Sequence, residues 1–123
     1  KAAIAACHME AHGPDWPQIA ALYDSLLRFE PTAVVRLNRA VAYGEAQSAE
    51  LGLRMIEDLG RDLADYQPYH AVRAAMLSRN GMIAAALEAY DTALTMTNSI
   101  ADAGFLTRKR SELASKANQA SNS

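Results

Sequence analysis

Cysteine is almost missing from this chain: Cys7 is the only one, which excludes an internal disulfide and agrees with a reducing, cytoplasmic setting. No apolar run approaches the ~18 residues that a membrane span needs. The amino terminus also lacks the basic, apolar, small-residue order of a signal peptide. An excess of one charge is missing too, since 12 Lys and Arg face 14 Asp and Glu for a net charge of −2. Nothing therefore pulls the chain as a whole toward phosphate backbones or anionic membranes, and no membrane partner is expected. Phosphate loops, nucleophile elbows and paired cysteines are likewise absent, so neither an enzyme nor a cofactor protein is expected.

What is there is helical. Half of the 123 residues are apolar but only 7% are aromatic, a composition rich in the small and unbranched side chains that packed helices use. Ala40, Tyr43, Gly52, Ile56 and Leu59 recur 34 positions later as Ala74, Leu77, Ala86, Tyr90 and Ala93. A 34-residue period belongs to tetratricopeptide-type helical hairpins, in which small residues mark the close crossing of two helices. Such stacks usually bind polypeptides.

The spacing predicts about seven helices stacked as antiparallel hairpins in an all-α, tetratricopeptide-like superhelix. Residues 2 to 12 form the first, stopped by Gly13-Pro14. Asp15 caps the second, with Gln18 three residues on and Pro17 in the first turn, and Pro31 ends it. Thr32 caps a third that runs to Ala46, and Ser48 caps a fourth. A longer connection from Gly60 to Gln67 precedes a fifth that opens at Pro68 and closes at Asn80-Gly81. Leu87, Tyr90 and Leu94 mark the sixth, and Ser99 caps a seventh that grows polar. One helical-repeat domain over 1–117 is expected, with a frayed tail over 118–123. Lys1 in the place of an initiator methionine points to a C-terminal piece of a longer protein.

His8 and His12 stand four apart with Cys7 beside them, a spacing that can chelate a metal. Cys7, however, points about 100° away from His8 on a helix, and no downstream ligands complete a set, so no metal site is assigned. Asn38, Arg39, His70 and Arg73 form the candidate polar network or partner site. Arg39 and Arg73 hold equivalent places in successive repeats and need an anion, either an internal carboxylate such as Asp24, Glu57 or Asp58 or an acidic group on a ligand or partner; the internal pairing is preferred. Trp16, Tyr23, Tyr43 and Tyr90 are assigned to packing, and Arg108-Lys109-Arg110 to a solvated helix face. A candidate peptide groove lies along the first helix of each hairpin: Val34, Leu37, Val41, Ala71, Ala75 and Ser78.

Certain strings carry a resemblance beyond the period. These are Ala2-Ala3-Ile4-Ala5-Ala6-Cys7-His8, Asp15-Trp16, Ile19-Ala20-Ala21-Leu22-Tyr23-Asp24, Pro31-Thr32, Leu37-Asn38-Arg39-Ala40-Val41-Ala42, His70-Ala71-x-Arg73-Ala74 and Ala89-Tyr90-x-x-Ala93-Leu94. Together they resemble the C-terminal tetratricopeptide-like extension of a group of bacterial extracytoplasmic-function sigma factors, over nearly the whole chain. The resemblance implies a longer protein whose N-terminal regions grip core RNA polymerase and bind promoter DNA in transcription initiation. It also implies regulation by docking of this extension on those sigma regions or on polymerase, and a small YCII-related protein as a possible partner. His70 and Arg73 depart from the Trp and Leu that generic tetratricopeptide repeats prefer. Two other readings stand beside it: a stand-alone peptide-binding adaptor, and a small-anion sensor built on the Arg39 and Arg73 region.

Overall fold

The computed structural model describes residues 13 to 122, and every regular element there is helical, as the composition predicts. In order these are α1 (Trp16–Phe29), α2 (Ala33–Ala46), α3 (Ala49–Ile56) with a 3-10 turn at Glu57–Leu59, α4 (Gln67–Arg79), α5 (Ile83–Met96) and α6 (Ile100–Asn122). The helix expected over residues 2 to 12, with Cys7, His8 and His12, lies outside the described residues. At the other end, α6 continues through Asn122 where a frayed tail from residue 118 is expected. Ala114 and Ala117 are half-buried, so the stripe begun by Leu106 and Leu113 extends to residue 117.

The chain divides between Arg61 and Asp62 into two compact units, each described by itself. In the first, three side-chain caps set the helix starts. Asp15 Oδ1 accepts from the Gln18 amide at 3.1 Å, Thr32 Oγ1 from Val35 at 3.2 Å and Ser48 Oγ from Leu51 at 3.1 Å. Each satisfies a backbone donor that the first turn leaves without a partner. Helix α2 lies between α1 and α3 and packs against both. Ile19, Ala20 and Ala42 are buried with Trp16, Tyr23 and Tyr43 packed against them, while Leu37 and Ile56 are 1% exposed.

The second unit packs α5 against α4 and α6. Its first two helices begin without side-chain caps, and the order comes instead from how α4 ends. The Gly81 amide donates to the Ser78 carbonyl at 3.1 Å and the Met82 amide to that of Leu77 at 2.9 Å, with Gly81 at φ 79°. This pair of bonds is the Schellman motif, which needs a left-handed residue after the helix and here sends the chain into α5. Ser99 Oγ then accepts from the Asp102 amide at 3.2 Å and opens α6.

The 34-residue echo is visible in the backbone: α2 and α4 start at residues 33 and 67, α3 and α5 at 49 and 83. One hairpin of the pair belongs to each unit. Ala40, Gly52, Ile56 and Leu59 are buried in the first, and Ala74, Leu77, Ala86, Tyr90 and Ala93 in the second. All the repeated residues but the half-buried Tyr43 are thus core residues, which is the physical reason they repeat.

Candidate functional site

Asp24 and Arg39 lie seven residues before Pro31 and seven after Thr32, so an antiparallel hairpin turning there brings them face to face. Arg39 Nε donates to Asp24 Oδ1 at 2.6 Å, and the Tyr43 hydroxyl, one turn further along α2, donates to Asp24 Oδ2 at 2.6 Å. The Arg39 guanidinium also stands 5.0 Å from the centre of the Tyr43 ring, within cation–π range. Burial pushes the Asp24 carboxyl up, but the hydrogen bonds from Tyr43 and Arg39 and the charges of Arg39 and Arg28 prevail and hold it below its ordinary value. The hydrogen bond to Asp24 holds Arg39 all the more firmly in its charged form. The same carboxylate, together with partial burial, raises the Tyr43 phenol. Of the three carboxylates considered for Arg39, Asp24 is the partner.

The polar quartet is therefore divided. Asn38 and Arg39 belong to α2 of the first unit, His70 and Arg73 to α4 of the second. His70 Nε2 donates to the Ala64 carbonyl at 2.7 Å, and its ring meets Tyr69 edge-on at 5.1 Å. A carbonyl can only accept, so this bond fixes the proton on Nε2. His70 thus ties the connecting loop to α4.

The candidate groove residues also separate by burial. Val34 and Ala75 are exposed and Val41, Ala71 and Ser78 half-buried, but Leu37 is 1% exposed. Leu37 is a core residue and not a groove residue, because its place on α2 faces the helices packed on either side. Tyr43, assigned to packing, is half-buried with its hydroxyl engaged. Tyr90 does lie in the core, and burial, followed by the charge of Glu112, raises its phenol. The basic run near the end divides as well: Arg110 grips Asp91 of α5 through two hydrogen bonds, at 2.5 and 3.2 Å, while Arg108 and Lys109 stand 6.0 and 5.7 Å from the Phe105 ring.

Two concave places open on the first unit. One, of about 370 Å³, is lined by Tyr23, Leu26, Glu30, Thr32, Val34, Val35 and Asn38, and it unites one groove residue with one member of the quartet. The other, of about 440 Å³, is lined by Leu27, Arg36, Arg39, Arg54, Met55, Glu57, Asp58 and Leu59. Arg36 and Arg54 are not singled out by sequence reasoning. Their signal is faint: Arg36 precedes Arg39 by three residues and so shares its helix face, but only the return of α3 beside α2 adds Arg54.

No family model matches the chain, and no solved structure matches it. The chain is 37% identical over 119 residues to an uncharacterized protein of Rhizobium meliloti (strain 1021), a match covering 94% of the chain and 28% of that relative. The chain thus spans less than a third of the relative's length. Among the described residues no helix is long and apolar enough to cross a membrane.

Proposed function

We propose that this chain is the regulatory, protein-interacting C-terminal part of an alternative bacterial sigma factor, acting on transcription initiation in the cytoplasm. The observation that carries the reading is that its family-like strings fall on structurally meaningful places. Leu37-Asn38-Arg39-Ala40-Val41-Ala42 supplies the core residues Leu37, Ala40 and Ala42 and the Asp24 partner Arg39. His70-Ala71-x-Arg73-Ala74 supplies the loop tie and the equivalent buried residue of the second unit. A match to under a third of a longer relative is in keeping with a module of a larger protein.

Mechanistically, a helical surface of the chain docks on the sigma regions or on core polymerase. It changes transcription by as much as its affinity differs between the permitted and the blocked state. A small YCII-related protein is a further partner under this reading. Promoter-specific transcription in vitro tests it, comparing the full-length protein with a version ending before Lys1. Removal of the domain is expected to raise or abolish transcript yield. A full-length protein that binds no core polymerase and starts at no promoter overturns the reading.

A second reading, a peptide-binding adaptor, is favoured by the 370 Å³ cavity, which Tyr23, Leu26, Val34 and Val35 line together with Asn38. An amide offers both a donor and an acceptor to a peptide backbone. Val34→Glu tests it without touching the core, and unchanged capture from a peptide library rules that cavity out.

A further inference from the structure

The cavity between α2 and α3 joins apolar residues to Arg36 and Arg54, two cations that form no ion pair among the described residues. Leu59 at its base is 3% exposed, with Leu27 and Met55 half-buried beside it. Arg39 on its wall is held in place by Asp24. Arg36 and Arg54 are exposed, and among the described residues neither forms an ion pair. Glu57 and Asp58 follow Arg54 by three and four residues, but they stand in the 3-10 turn after α3 has ended, so the α-helical spacing that would pair them with Arg54 is interrupted. A guanidinium presents a planar fork of donors that fits a carboxylate. The volume of about 440 Å³ falls within the roughly 300–1,000 Å³ of small-molecule sites.

Glu57 and Asp58 set the limit on charge. They line the same cavity and balance the formal charge of Arg36 and Arg54, so a head group carrying two negative charges meets more repulsion there than one carrying a single charge. We infer that the cavity bounded by Arg36, Arg39 and Arg54 binds a small organic monoanion, a carboxylate carried on an apolar body that rests on Leu27, Met55 and Leu59. This site goes beyond the sigma-factor reading and stands without it. Unlike the Arg39 and Arg73 reading, it needs residues of the first unit alone.

Hexanoate, hexanol and hexylammonium share one apolar body and differ in the head, so calorimetric titration of each into the chain is the test. Saturable heat and a concentration-dependent rise in melting temperature are expected for hexanoate, with neither for the other two. The R36Q/R54Q double variant is expected to weaken hexanoate binding at least tenfold. R108Q/K109Q, which removes the same charge from the second unit, is expected to bind as before. Equal binding of hexanol, preference for hexylammonium, or an unchanged R36Q/R54Q variant overturns the inference. Chemical-shift mapping on the unaltered chain gives a readout that does not depend on any variant folding: hexanoate must perturb Leu27, Met55 and Leu59, and perturbation elsewhere alone sinks the site.

Discussion

Asp24 is the residue on which α1 and α2 converge, and its two oxygens serve two different donors of α2. The side chains of Arg39 and Asp24 remain 33% and 42% exposed, so solvent screens the pair and its contribution is about 0.5–1 kcal/mol. Its pH dependence follows from the direction of the shift. A carboxyl whose folded value lies below its unfolded one stabilises the fold above the ordinary carboxylate range and loses that contribution as pH falls through the lower, folded value. Asp24→Asn is therefore expected to lower stability by a constant amount through neutral pH, with the gap to the unaltered chain closing below about pH 4. Denaturant melts across pH measure this, and a gap that persists in strong acid removes Asp24 from the account. The sequence named Asp24, Glu57 and Asp58 alike as partners for Arg39, and only the pairing of α1 with α2 singles out Asp24. The hydroxyl of Tyr43 was not legible, because an aromatic at helical spacing reads first as core.

Helix starts and stops follow local chemistry, which is why so many were legible. Asp15, Thr32, Ser48 and Ser99 all cap through their own side chains, and a cap acts over only three residues. The end of α4 rests on a single conformation: Gly81 at φ 79° lets the Gly81 and Met82 amides reach back to Ser78 and Leu77. A Cβ built there meets nothing within 4 Å, so Gly81→Ala involves no clash and isolates the backbone cost of a left-handed residue, about 1–2 kcal/mol. Thermal melts should show that loss, whereas Gly104→Ala, inside α6 with equally open space, should gain up to about 1 kcal/mol from helix propensity. A Gly81→Ala chain as stable as the original would mean that this turn is not what joins α4 to α5. The extent of α6 was harder to read, since its polar surface hides the small residues that keep its inner face packed.

At the scale of the whole molecule the 34-residue echo makes a quantitative claim, because equivalent positions should respond alike in both units. Ala40 and Ala74 are each 0% exposed, one on α2 of the first unit and the other on α4 of the second. A leucine at either place adds three carbons to a fully buried position, and overpacking of this kind costs about 1–3 kcal/mol. Ala75, one residue on, is exposed, and the same change there should stay within about 0.5 kcal/mol. Both hairpins were legible because burial, and not surface chemistry, repeats; the Arg36 and Arg54 cavity was not, because it has no counterpart at residues 70 and 88, which are His and Glu. Repetition thus marks what the two units need for folding, and departures from it mark what one unit does alone. Equilibrium unfolding of Ala40→Leu, Ala74→Leu and Ala75→Leu decides the first half of that statement. Matched losses for the first two beside a near-neutral third uphold the equivalence, and a tolerated leucine at either buried position breaks it.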